Sequence, residues 1–143
     1  MQCRRRHGYR IYIVVACSVV SLAGCSPGEQ RQSIEGAITL DGQPLQVGNI
    51  TFQPESGTHG PNAGAAIDAG KYSIAAKGGT FAGRFRVEIT STRPSGRMIT
   101  DRDGTMVPGQ EQFLPKKYNA ESELHAEVKP GELNHFNFEL TSK

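Results

Sequence analysis

Among the 143 residues, the side chains beyond position 25 best suited to acid–base or metal chemistry are His59, His125 and His135. The alternation of apolar and polar residues places His125 and His135 on outward positions of neighbouring strands, so a surface metal pair is one reading. Two ligands make a weak site, and no Cys or carboxylate stands at a spacing that completes it. Solvated histidines are the expectation. Asp101-Arg102-Asp103-Gly104 begins like a calcium loop, but it lacks the further acidic position and the bidentate Glu that close such a loop, and Glu111 is too distant to replace them. A polar turn is expected there. No serine sits in a Gly-x-Ser-x-Gly elbow or has an evident His and Asp partner. Glu121 and Glu123 lie near a strand start, where a solvated rim is expected rather than an acid/base pair. Gly78-Gly79 lacks the Lys-Ser/Thr of a phosphate loop. Arg84 and Arg86 alternate with apolar residues as an exposed strand face does; contact with an acidic glycan or a partner is one reading, and plain solubilising charge is the expectation. Tyr118 beside Lys116 and Lys117 is read as a structural tyrosine before it is read as a binding surface. These patterns assign no catalytic, cofactor-binding or metal residue.

Cys25 has the clearest context of any reactive side chain. Arg4, Arg5, Arg6 and Arg10 form a positive segment, Ile11 to Ala23 an uncharged and largely apolar one, and Leu22-Ala23-Gly24-Cys25 follows. As a helix the thirteen apolar-segment residues would reach roughly 20 Å, short of a bilayer core of about 30 Å. That length fits a signal-peptide core better than a permanent span, and the arginines favour keeping that end in the cytoplasm. Leu22-Ala23-Gly24-Cys25 resembles the bacterial lipobox. The resemblance implies peptidase recognition at Leu22, Ala23 and Gly24, cleavage before Cys25, and lipid on the Cys25 sulfur. Two or three acyl chains hold a protein far more firmly than one, at about 0.8 kcal/mol per buried CH₂.

Charge and cysteine usage agree with export. Removing residues 1–24 takes away four positive charges and no negative ones, turning the formal +2 into −2. That remainder gives no general electrostatic reason to bind nucleic acid. Cys3 and Cys17 lie in the segment removed, so Cys25 stands alone and the core must hold without an internal disulfide.

The elements that would position any site are strands. Residues 25–32 read as a lipidated polar tether and 33–143 as one domain. Ile34, Gly36, Ile38 and Leu40 share one face, and Asp41-Gly42 with Pro44 supplies a turn. Ile50 and Phe52 point inward on the next strand. Ala63, Ala65 and Ile67 then pair, through an Asp68-Ala69-Gly70-Lys71 turn, with Tyr72, Ile74 and Ala76. Phe85, Val87 and Ile89 alternate with charge. Residues 91–112 lack periodicity and are expected to form one long, mobile excursion. Leu124, Ala126 and Val128, a turn at Pro130-Gly131, and a strand carrying Phe136, Phe138 and Leu140 close the chain. No window shows a 3.6-residue stripe. About seven short strands predict an all-β fold, an antiparallel two-sheet sandwich following an N-terminal signal helix, with a closed barrel as runner-up.

Gly36 to Leu45 followed by Gly48-Asn49-Ile50-Thr51-Phe52, and later Gly70-Lys71-Tyr72-Ser73-Ile74, resemble carboxypeptidase regulatory-like domains. Those are transthyretin-like β-sandwiches. Gly83 to Ile89, Leu114-Pro115-Lys116-Lys117-Tyr118-Asn119 and Phe136 to Leu140 are further similar to small lipoproteins of the planctomycete type. The resemblance implies a fold and an accessory role, and no catalytic residue. The hydroxyisourate hydrolases on this fold end in Tyr-Arg-Gly-Ser, whereas this chain ends Leu140-Thr141-Ser142-Lys143.

The expectation is therefore a non-enzymatic lipoprotein without cofactor, held at a bacterial inner or outer membrane through Cys25. Its sandwich would bind an envelope protein or carbohydrate. The alternatives are a structural protein that self-associates through strand edges, and a hydrolase or metal carrier using residues 91–112.

Overall fold

A computed structural model describes residues 29–143. The expected signal peptide (1–24), Leu22, Ala23, Gly24, the lipidated Cys25 and most of the 25–32 tether lie outside the described residues. From Gln32 onward the chain is docked. Gln32 is buried, its backbone N–H donates to Thr80 O (2.7 Å), and its side-chain oxygen accepts from Gly131 N (2.9 Å).

The described residues are all-β, with eleven strands and two short 3₁₀ turns, Ala76–Gly78 and Lys116–Tyr118. The strands are β1 (Ile34–Leu40), β2 (Gln43–Pro44), β3 (Val47–Pro54), β4 (Ala63–Asp68), β5 (Lys71–Ile74) and β6 (Gly83–Thr90). They continue with β7 (Thr92–Thr100), β8 (Met106–Gln112), β9 (Leu124–Val128), β10 (Asn134–His135) and β11 (Phe138–Leu140). The count exceeds the expected seven. Nine strands hydrogen-bond into one curled, half-barrel sheet in the order β10-β1-β5-β4-β3-β6-β9, with β2 and β11 also on β1. Strands β7 and β8 form a separate two-stranded sheet.

Strand β1 makes the curl. Its first half pairs with β5 and β10, and its second half with β2 and β11. The pairings with β10 and β11 are parallel, an exception to the expected antiparallel pattern. The closing segment, expected as one strand, breaks at Phe136-Asn137. There the Asn137 carboxamide oxygen accepts from Ala37 N (2.8 Å), replacing a ladder bond with a side-chain one. Gly36 permits this approach, because a Cβ at position 36 would lie 1.8 Å from Phe136 O.

The core follows the alternation. Ile50, Phe52, Phe85, Val87 and Ile89 are fully buried, together with Ile34, Ile38, Ile67, Val128 and Leu140. Each such side chain contributes roughly 1.5–3 kcal/mol by leaving water. The β4–β5 turn places Ala69 (φ 47°) and Gly70 (φ 78°) in the left-handed region, the backbone of a tight hairpin. Ala76, expected inward, is exposed, because strand geometry stops at Ile74 and a 3₁₀ turn rotates the next residues outward.

Residues 91–112, expected as one long excursion without regular structure, instead form the β7–β8 hairpin. Its turn is Asp101-Arg102-Asp103-Gly104, closed by Asp101 N to Thr105 O (2.8 Å) and Gly104 N to Asp101 O (2.9 Å). Its register shifts between Pro94 and Met98, and both faces are largely exposed. With no buried face, nothing selects period-two alternation, which is why the sequence hid these strands.

Candidate functional site

Two surfaces of the described residues have enough relief to bind something. The first is an open groove of about 750 Å³ on the outer face of β10, β1, β5 and β4. Its polar row runs His135–Glu35–Ser73 across three adjacent strands, because Glu35 pairs with His135 on one side and Ser73 on the other. His135 Nε2 lies 3.1 Å from Glu35 Oε1. Lys71 stands opposite both Ala37 and Asp68 in the ladders.

The residue types suggest a nucleophile relay, but their order does not build one. Such a relay needs the imidazole between the hydroxyl and the carboxylate. Here Glu35 occupies the middle, and Ser73 stands two strand spacings, roughly 10 Å, from the His135 backbone. Beneath the groove, Tyr72 is buried and its hydroxyl donates to Phe136 O (2.8 Å). Burial pushes that hydroxyl well above the ordinary tyrosine range, so it stays a neutral donor.

The expected neighbourhood of His125 and His135 is overturned. They lie on β9 and β10, the opposite ends of the main sheet path, because β10 returns to β1 instead of pairing with β9. Each histidine has its own carboxylate: His125 Nδ1 bonds Glu55, and His135 bonds Glu35. His59 is an exposed loop residue. Among the described residues no three His, Cys, Asp or Glu side chains come together as a metal site.

The other singled-out residues fall as follows. Glu121 and Glu123 are exposed. Glu111 pairs with Arg93 across the hairpin (2.9 Å). Arg86 is shared between Gln53 and Glu88, while Arg84 reaches toward Glu55 (3.9 Å). Tyr118 is buried, as the structural reading expects. Its hydroxyl lies 3.1 Å from Thr141 Oγ1 and accepts from Thr141 N (3.1 Å). The Thr141 hydrogen bond holds that phenol below its ordinary range.

The second surface was invisible in the sequence. The largest exposed apolar side chains are Val47, Met98, Ile99, Met106 and Leu133, and three of these five belong to the hairpin. Ile99 lies opposite Val107 on one hairpin face, and Met98 and Met106 lie on the other. At the hairpin's base is a notch of about 300 Å³ walled by Leu40, Pro44, Val47, Thr92 and Phe113. Ser91 fixes the base, since its hydroxyl donates to Val47 O and its N–H to Gln112 Oε1 (2.9 Å). The Arg93 guanidinium sits 5.7 Å from the Phe113 ring centre. The hairpin leaves from the end of β6, whereas docked Gln32 lies near the start of β6, roughly 25 Å away along an eight-residue strand.

No protein-family model and no curated protein matches the chain. Among solved structures it is similar to a 9R-lipoxygenase from Cyanothece PCC8801, with a TM-score of 0.38 and 14% identity. That match covers 78% of this chain but only 16% of the lipoxygenase. A likeness that low carries neither fold nor chemistry across.

Proposed function

We propose that this chain is an exported bacterial lipoprotein, anchored through lipid on Cys25, whose domain binds another envelope protein without catalysing a reaction. The β7–β8 hairpin and the notch at its base are the binding surface. The observation that carries this reading is the exposure of Met98 (55%), Ile99 (51%) and Met106 (56%) on an element that pairs with no strand of the main sheet. Flexible apolar side chains concentrated at one protruding place suit a partner surface. None of the five large exposed apolar residues is aromatic, which favours a protein over a glycan that would stack on rings. The carboxypeptidase regulatory-like sandwich remains our reading of the fold at finer grain. It is supported by β1, which divides its pairing between two sets of strands as a strand shared by two facing layers does.

The test is photo-crosslinking in the native envelope, comparing the wild-type chain with a Met98→Ser/Ile99→Ser/Met106→Ser variant. The variant should keep its thermal stability to within about 0.5 kcal/mol per site, since exposed substitutions rarely cost more. It should also lose the crosslinked partner. Identical crosslinks from both would remove the hairpin from the binding surface.

A further inference from the structure

The geometry points to a second copy of this chain as the occupant of the free edge of β9, paired antiparallel about Ala126. This goes beyond the hairpin reading and does not depend on it.

Strand β9 ends the main sheet path. At the other end, β10 and β11 are two and three residues long, a blunted edge. Strand β9 is a five-residue run, Leu124-His125-Ala126-Glu127-Val128, with no proline and an unbroken register against β6. Which of its backbone groups face outward follows from β6. Glu55 N donates to Arg84 O (3.0 Å), so Arg84 turns its backbone toward the β3 side, and Phe85 and Val87 by alternation turn theirs toward β9. Ser122 Oγ donating to Val87 O agrees with this. Phe85 and Val87 pair with Ala126 and Leu124, so those two residues turn their backbone groups toward β6, the Leu124 N–H donating to Ser122 Oγ (3.2 Å). His125 and Glu127 therefore direct N–H and C=O outward, and among the described residues no other hydrogen bond takes them up.

An antiparallel copy centred on Ala126 sets His125 opposite Glu127 of the other chain, and the reverse. Those are the residues with free backbone groups, so each pair exchanges both main-chain bonds. Extended one residue past each end of β9, the same register brings the side chains of Glu123 and Lys129 opposite each other, again twice by symmetry; their N–H groups are already bonded within the chain, to Lys117 O (3.3 Å) and Asn134 Oδ1 (2.8 Å). Charges on an edge usually discourage pairing. Here the run Glu123, His125, Glu127, Lys129 reads as its own complement when reversed, so this one alignment turns the deterrent into attraction. On the inner face Leu124, only half-buried in one copy, meets Val128. Glu123 and Lys129 are both exposed, and neither side chain has an ion-pair partner among the described residues. The two tethers leave such a pair at opposite ends. With Gln32 docked, the seven residues 25–31 reach up to about 25 Å, enough for both to meet one surface along which the strands lie.

Sedimentation equilibrium of the full chain, in neutrally buoyant detergent with micelles in large excess, tests the pairing. Wild type should dimerise reversibly. Glu123→Lys and Lys129→Glu should each weaken the dimer about tenfold, because each creates two like-charge contacts. The double exchange Glu123→Lys/Lys129→Glu should return to within about threefold of wild type. A carbodiimide, which joins amines to carboxylates at zero length, provides a readout on the unmutated chain. Lys129 and Glu123 of one copy stand roughly 20 Å apart along the strand, so a Lys129–Glu123 crosslink can only be between chains. A monomer at every reachable concentration would overturn the inference. So would a dimer indifferent to all three variants, or crosslinked dimers lacking that linkage.

Discussion

At the scale of single residues, the molecule depends on a few close approaches that pair sequence positions a hundred apart. Gly36 is the sharpest. Phe136 O occupies the place of its missing Cβ, and that same carbonyl accepts from the Tyr72 hydroxyl at 2.8 Å. Gly36→Ala must push β1 away from the segment between β10 and β11, and should cost about 3 kcal/mol. Gly78→Ala is the control, because a Cβ there meets nothing within 4 Å, and it should stay within about 0.5 kcal/mol of wild type. Thermal unfolding read by circular dichroism distinguishes the two, with the Gly36 variant melting roughly 10 °C or more lower. The inward positions of β3, β6 and β9 were legible from alternation alone, since each strand has one face in the core. The Glu35–His135 pair was not legible, because nothing local in the sequence announces a parallel pairing between the first strand and one near the end.

Among elements, the β7–β8 hairpin differs from the rest. An isolated two-stranded hairpin is marginal in water, and this one pairs with no other strand. Its base is held by Ser91 and Gln112, while its far half shows Met98, Ile99 and Met106 to solvent. It should therefore open locally at far lower free energy than the sheet. Amides of Ile99 and Val107 are expected to exchange with solvent at least about 100-fold faster than those of Ile50 and Val87, as read by hydrogen–deuterium exchange. Protection equal to the sheet would mean that the hairpin is already covered. The aperiodic stretch of 91–112 thus concealed regular backbone. Alternation reports burial of one face, not strand geometry itself, and a strand wet on both sides carries no such signature.

For the whole molecule, the question is where the domain is held and what that leaves free. Among the described residues no helix is long and apolar enough to cross a membrane. In the proposed reading, attachment rests on Cys25. Cys25→Ala should leave the precursor uncleaved, add no acyl mass, and shift the chain out of the lipid-linked membrane fraction, as measured by intact mass and fractionation with detergent-phase partitioning. Unchanged processing and retention would end the lipoprotein proposal. Sequence by itself determined the all-β class, most of the core and the turn residues, because period-two burial and positive-φ chemistry are local properties. It also supplied the order of positive, apolar and lipobox-like segments on which the anchoring proposal stands. Only the tertiary structure decided the parallel return of β10 and β11 to β1, the separation of His125 from His135 and the protrusion of the hairpin. The same holds for the open edge at β9. Each depends on which distant strands exchange hydrogen bonds, a choice made by the collective packing of the curled sheet and written in no single stretch of chain.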